Sequence, residues 1–299
     1  MRRKPFKNPL TAIGFYIVAI LFAFVTLFPL LWVLKMSLVS DTELFAVPPT
    51  WWPESVTMKS LTAANCRLFA GIKFPCPVNY HTVFIDPIFR AGLANTLVIA
   101  GITTLICLVI GSLSAYALAR IEFFAKKPTL SLVLAISFFP AVAIIAPLFL
   151  QFQTLGLINT YWGVIIPDVL FALPLTVYLL VAYFRELPAD LEEAAKVDGA
   201  NLWQAFFRVT VPLSIPGIVT TGLLTFIFAW NEFLFANTLT LDETVQPATV
   251  VIPQFATTYT TDYGAQAAAA IVLTLPLVIL VLFFQRKIVS GLTAGATTG

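Results

Sequence analysis

Six apolar stretches, at residues 10–34, 91–119, 130–151, 162–184, 215–235 and 267–284, constrain this chain more than any other feature. Crossing about 30 Å of hydrocarbon takes roughly 20 apolar residues in a helix rising about 1.5 Å per residue. The chain is 59% hydrophobic and 11% charged, where soluble domains run about 45–50% and about 25%. Its 20 prolines and 14 glycines do not oppose helices in lipid, because neighbouring helices satisfy the backbone groups these residues free. The expected fold is an all-α integral membrane protein with six transmembrane helices.

The 17 Lys and Arg residues test these spans independently. One side collects Arg2, Arg3, Lys4, Lys7, Arg120, Lys126, Lys127, Arg185, Lys196, Arg208, Arg286 and Lys287, and the other only Lys35, Lys59, Arg67, Lys73 and Arg90. Positive charge favours the inside, so both termini are expected in the cytoplasm. The basic start precedes an apolar run too long for a signal peptide, and is read as leading into an uncleaved first helix. No Lys/Arg cluster interleaved with aromatics points to nucleic acid.

Loops 39–89 and 237–266 then fall outside. The first carries Cys66 and Cys76, candidates for a disulfide in an oxidising compartment, and His81, read as solvated because no ligand cluster accompanies it. The second holds Asp242, Glu243 and Asp262 without a basic residue, and a β-prone run, Ala248-Thr-Val-Val-Ile-Pro253, suited to an extracytoplasmic partner. The uncharged segment 152–161 reads as a tight turn. No phosphate-cradling Gly-x4-Gly-Lys-Ser/Thr loop, dinucleotide fingerprint or Gly-x-Ser-x-Gly elbow occurs. Any ATP chemistry belongs to another chain.

Loop 185–212 is the exception among the cytoplasmic connections. It reads Arg185-Glu-Leu-Pro-Ala-Asp-Leu-Glu-Glu-Ala-Ala-Lys-Val-Asp-Gly-Ala-Asn-Leu-Trp-Gln-Ala-Phe-Phe-Arg-Val-Thr-Val-Pro212. A first short helix is expected with Asp190 as N-cap, Glu193 at capping-box spacing and acids in the first turn, ending at Asp198-Gly199. A second carries Leu202, Trp203, Ala205, Phe206, Phe207 and Val209 up to Pro212, too apolar for open water. Physics alone leaves two readings, a helix pair lying on the membrane surface and a docking site.

The pattern Glu193-Ala-Ala195, Gly199, Val209-Thr-Val-Pro212 resembles the cytoplasmic signature of binding-protein-dependent ABC importer permeases. Valines stand at 209 and 211 where that family usually has Ile and Leu. Ala115-Tyr-Ala-Leu-Ala-Arg120, Gly156-Leu-Ile-Asn-Thr-Tyr-Trp-Gly163, Trp230-Asn-Glu-Phe233 and Gly291-Leu-Thr-Ala-Gly295 resemble its carbohydrate branch, specifically the second permease of maltose-type transporters; Thr298 stands where that branch often has Lys.

The resemblance implies a cytoplasmic coupling helix between helices 4 and 5, with Glu193, Ala194, Ala195, Asp198 and Gly199 meeting an ATP-binding cassette ATPase dimer. It also implies a second homologous permease subunit, an extracytoplasmic sugar-binding protein and a carbohydrate substrate. ATP and Mg would be bound by the partner ATPase, and no cofactor by this chain, which would itself be non-catalytic. The setting would be the bacterial inner membrane, with tails at 1–9 and 289–299 flanking a permease domain at 10–288. Competing classes are an ATPase-independent transporter or channel, which would show repeats or a pore motif, and a membrane scaffold, which leaves loop 185–212 unexplained.

Polar residues at membrane depth are costly and tend to face a cavity or the bundle interior. Trp230, Asn231, Glu232 and Phe233 are candidates for lining a translocation path. Asp168 could share that role, and both acids could instead sit at the membrane interface. Asn95-Thr96 and Thr220-Thr221 fit either pore lining or helix–helix hydrogen bonds.

Overall fold

The computed structural model describes residues 9–48, 58–59, 66–67, 73–74, 76–256 and 262–294. They fall into two compact units, Met1–Pro87 with Ile252–Thr274, and Ile88–Val251 with Leu275–Gly299.

The first unit begins with α1 (Pro9–Leu38) and α2 (Asp41–Leu44). Four two-residue strands follow: β1 (Met58–Lys59), β2 (Cys66–Arg67), β3 (Lys73–Phe74) and β4 (Cys76–Pro77), pairing antiparallel as β1 with β4 and β2 with β3. Then comes α3 (Val78–Ile85). Helix α1 presents apolar side chains all round, Leu21, Phe22 and Phe24 among the exposed ones, the pattern of a helix whose solvent is lipid. Its C-terminal end is tied to α3, where the Asn79 amide donates to the carbonyls of Val39 (2.8 Å) and Ser37 (3.2 Å). His81 is buried in α3 and not solvated as expected. The side chains of Cys66 and Cys76, the candidate disulfide, lie outside the described residues.

The remaining helices are α4 (Pro87–Arg120), α5 (Lys126–Ser137), α6 (Ala141–Thr154), α7 (Tyr161–Glu186), α8 (Asp190–Val197), α9 (Leu202–Ala205), α10 (Val211–Leu213), α11 (Ile215–Trp230), α12 (Leu234–Leu239), α13 (Ala248–Val251) and α14 (Tyr263–Ala294). A π turn, Phe206–Thr210, joins α9 to α10.

Among the described residues, four helices are long and apolar enough to cross a membrane: Ala12–Leu38, Pro87–Arg120, Tyr161–Glu186 and Tyr263–Gln285. Two bent pairs raise that number to six if each is one span: Pro128–Ser137 with Ala141–Thr154 at 84°, and Leu202–Leu213 with Ile215–Trp230 at 77°. The first bend interrupts the stretch expected at 130–151. Pro140 lacks an amide proton and disfavours helical dihedrals at Phe139, so the helix stops and restarts there. The stretch expected at 215–235 likewise ends as a helix at Trp230.

In the second unit, Thr176 Oγ1 on α7 and Thr225 Oγ1 on α11 lie 2.9 Å apart, a hydrogen bond linking two helices. Nearer the α8 end of α7, Ala115, Tyr116, Leu180, Phe184 and Phe206 form an apolar core. The β-prone run at 248–253 is helical instead. The Ala248 amide donates to Thr96 Oγ1 at 2.9 Å, and the Val250 amide to the Pro247 carbonyl at 3.0 Å, which leaves those donors no strand partner to seek. The amide of Asn95 donates to the carbonyls of Thr244 and Gln246, while Tyr161 donates to Asn95 Oδ1 at 2.7 Å. Asn95 and Thr96 therefore pin a connection onto α4, and both are buried.

Candidate functional site

Helix α7 ends where Leu187 turns extended before Pro188, the conformation that a following proline favours. Helix α8 then starts after Ala189, whose dihedrals are already helical and which makes no side-chain cap. The expected N-cap at Asp190 is thus corrected by one residue: the amides of Glu192 and Glu193 bond the Ala189 carbonyl, and Asp190 is the first helical residue. Asp190, Glu192 and Glu193 occupy the first turn, where the helix dipole favours negative charge.

At the other end, Gly199 adopts φ +89°, a left-handed conformation that glycine enters without steric cost. The Ala200 amide donates to the Ala195 carbonyl (2.9 Å), and the Gly199 amide to the Lys196 carbonyl (3.0 Å). These two bonds form a Schellman closure. Asn201 and Gln204 then exchange side-chain and backbone bonds, both 2.9 Å, in a capping box that starts α9. Loop 185–212 is therefore two helices with a fixed turn between them.

The two faces of α8 differ in kind. Outward lie Leu191, Glu193, Ala194, Val197 and Asp198, all exposed, with Gly199 exposed beyond them and Ala195 half-buried. Inward lies Glu192, 4% exposed. Its Oε1 accepts from Arg120 Nε (2.8 Å) and from Thr210 Oγ1 (2.8 Å), and its Oε2 accepts from Tyr116 Oη (3.0 Å). Arg120 Nη2 also donates to the Leu187 carbonyl at 2.9 Å. One carboxylate thus joins α8, the end of α4 and the π turn, beside the ring of Phe206, which packs 4.8 Å from Tyr116.

Of these four residues, Arg120 reads in the sequence as a topological charge and, with Tyr116, as part of the motif at 115–120, Thr210 as part of the motif at 209–212, and Glu192 as a first-turn acid, but none is given a contact there. The signal was present in part, since Tyr116 and Arg120 sit four residues apart on one helical face. Their partner is 72 residues away from Arg120. Just past α4, Lys126 lies 2.7 Å from Glu122 and holds that exposed carboxyl below the usual carboxylate range.

The segment 230–233 was expected to act as a group, and the structure gives its members separate tasks. Trp230 is buried, with its ring 5.3 Å from that of Phe226. The exposed Asn231 turns its amide back onto the Ile227 carbonyl (2.7 Å). Glu232 caps α12, accepting from the amides of Phe235 (2.6 Å) and Ala236 (2.9 Å). Phe233 is exposed. Asp168 in α7 is fully buried, without a hydrogen-bond partner for either carboxyl oxygen among the described residues. Burial places Asp168 in the bundle interior. Thr220 and Thr221 are buried as well. Among the described residues no group of three His, Cys, Asp or Glu side chains could hold a metal ion.

The profile of the family described as "Binding-protein-dependent transport system inner membrane component" matches residues 107–293. The trehalose transport system permease protein SugB of Mycobacterium tuberculosis is 42% identical over 260 residues, 85% of this chain and 93% of that protein. The trehalose/maltose transport system permease protein MalG of Thermococcus litoralis is 37% identical over 302 residues, covering 100% of both chains. The sulfoquinovosyl glycerol transport system permease protein SmoH of Agrobacterium fabrum is 35% identical over 273 residues, 91% of this chain and 89% of that one. A chain from the crystal structure of a bacterial ABC transporter that imports the acidic polysaccharide alginate shares the fold, with TM-score 0.71, 23% identity and coverage of 95% and 99%.

Proposed function

This chain belongs to the family of binding-protein-dependent transport system inner membrane components, and from that membership we propose that it is one permease subunit of an ATP-driven carbohydrate importer. It forms half of a translocation path together with a second, homologous permease subunit. An ATP-binding cassette ATPase dimer binds ATP and Mg, and an extracytoplasmic binding protein delivers the sugar. The relatives named for trehalose, maltose and a glycosyl glycerol support a carbohydrate cargo. Six spans cross the inner membrane within 10–288, the fifth following the cytoplasmic loop 185–212, and both tails are cytoplasmic.

One observation carries the coupling role: α8 is fastened along its inner face and bare along its outer one. Leu191 and Val197, 46% and 88% exposed, flank the small Ala194, and so offer a knob that a cleft in an ATPase subunit can grip closely. Closure of two ATPase subunits on ATP would then move α8 and bias the spans between outward-facing and inward-facing arrangements. Asn231 and Phe233, exposed where α11 breaks, are the members of 230–233 available to a sugar.

The test is purification of a tagged chain from its own membranes, followed by reconstitution with its binding protein. Retention of an ATPase and ATP-dependent uptake of labelled trehalose or maltose are expected. A chain that retains no ATPase and drives no ATP-dependent uptake overturns this function.

A further inference from the structure

Helix α8 has a mechanical difficulty if it acts as a lever. Its backbone leaves at both ends through conformations that break helical continuity, extended at Leu187 and left-handed at Gly199. An eight-residue helix held only by two such pivots would rotate between them and pass little force to the long helices. A third attachment off the pivot line removes that freedom.

We propose that Glu192 is this attachment, a positioning residue that clamps α8 to Arg120 at the end of α4, so that movement of α8 reaches α4 directly. The clamp rests on the coupling role of α8 and adds the route by which force enters the bundle. Three features support it. The carboxylate is buried, and its three donors come from two other segments, α4 and the π turn. Charge-assisted bonds of this kind are short and directional. Arg120 spans the first pivot as well, through its bond to the Leu187 carbonyl, so the pivot before α8 and the first turn of α8 are fixed to the same side chain. The adjoining apolar core, with Phe206 against Tyr116 and Phe184, gives the clamp a firm seat.

The experiment uses the whole complex in proteoliposomes, with this chain, its second permease, its ATPase and its loaded binding protein, and trehalose as probe. Uptake and ATP hydrolysis are measured in the same vesicles. Nitroxide labels at Ile121→Cys and Lys196→Cys, the latter exposed on α8 and outside the docking residues, report the distance between the end of α4 and α8 without reference to any sugar. A wild-type chain that holds no ATPase sinks the coupling role itself; the variants decide the clamp.

Glu192→Gln is expected to retain the ATPase, to let hydrolysis continue, to lower sugar imported per ATP by about tenfold, and to broaden the label distance. Exchanging the charges, Arg120→Glu with Glu192→Arg, is expected to narrow the distance again and recover part of the import. An unchanged import ratio with an unchanged distance, or loss of the ATPase from the Glu192→Gln complex, overturns the clamp. If Glu192→Gln does not insert, Tyr116→Phe and Thr210→Val, each removing one donor, decide alone. A broadened distance supports the clamp, and an unaltered one refutes it.

Discussion

The amide of Ala200 donates to the carbonyl of Ala195 across Gly199, at 2.9 Å, and this bond fixes the angle at which α9 leaves α8. A Cβ at Gly199 would meet nothing within 4 Å, although φ is +89°. Any penalty inside this chain is therefore backbone strain. Gly199→Asp should cost about 1 kcal/mol, leave the protein inserted, and uncouple transport because the added side chain stands where the ATPase would seat. Gel filtration and uptake assays check this, and normal uptake would refute the docking of α8.

Asn159 at φ 57° holds the turn before α7. Its Oδ1 accepts from the amides of Leu241 and Asp242, and its own amide bonds the Leu239 carbonyl (2.9 Å). Asn159→Ala loses the side-chain acceptor and keeps the unfavourable backbone. A loss of about 1–3 kcal/mol is expected, visible as a lower melting temperature in detergent. Asn159→Gly should lose less, and equal melting of the two variants would contradict this account.

At residues 231 and 232 the structure separates two effects. Glu232→Ala removes the cap from α12 and should destabilise by about 1–2 kcal/mol. Asn231→Ala, on an exposed side chain bonded within its own helix turn among the described residues, should leave melting within about 0.5 kcal/mol of wild type while altering uptake. Unchanged uptake and sugar selectivity in Asn231→Ala would remove it from the pathway.

Asp168 is buried with both carboxyl oxygens unpartnered among the described residues. Such burial is costly. Asp168→Asn, close in volume and without charge, should raise the melting temperature, by about 1 kcal/mol of added stability. A lower melting temperature would show that the carboxyl has a stabilising partner.

Much of this chain is readable from local chemistry, and the failures have a common origin. Gly199 and the helix stop before it follow from one residue's dihedral freedom. The long apolar helices follow from hydropathy. The bend between α5 and α6 is also present locally, in Pro140, yet it disappears into a continuous apolar run because hydropathy does not register a missing amide proton. By contrast, the helical form of 248–251 depends on Thr96, 152 residues earlier in the chain. Glu192 looks like any first-turn acid until Arg120 and Tyr116 are brought to it. Asp190 fails as an N-cap because Ala189 is already helical and its carbonyl takes the first amides one residue sooner.

The π turn at 206–210 sets the rotational phase of the segment that leads into α11. The Val211 amide reaches back to Phe206, five residues, so this turn holds one residue more than an α turn. Each residue rotates a helix by about 100°, and that single extra residue sets which side of the segment Thr210 shows to Glu192. Deleting one residue here would leave composition and hydropathy almost untouched, yet it would turn Thr210 away from the carboxylate and shift the register of the segment entering α11. The register of this part of the bundle is thus written in chain length, a quantity invisible to any tally of residue types.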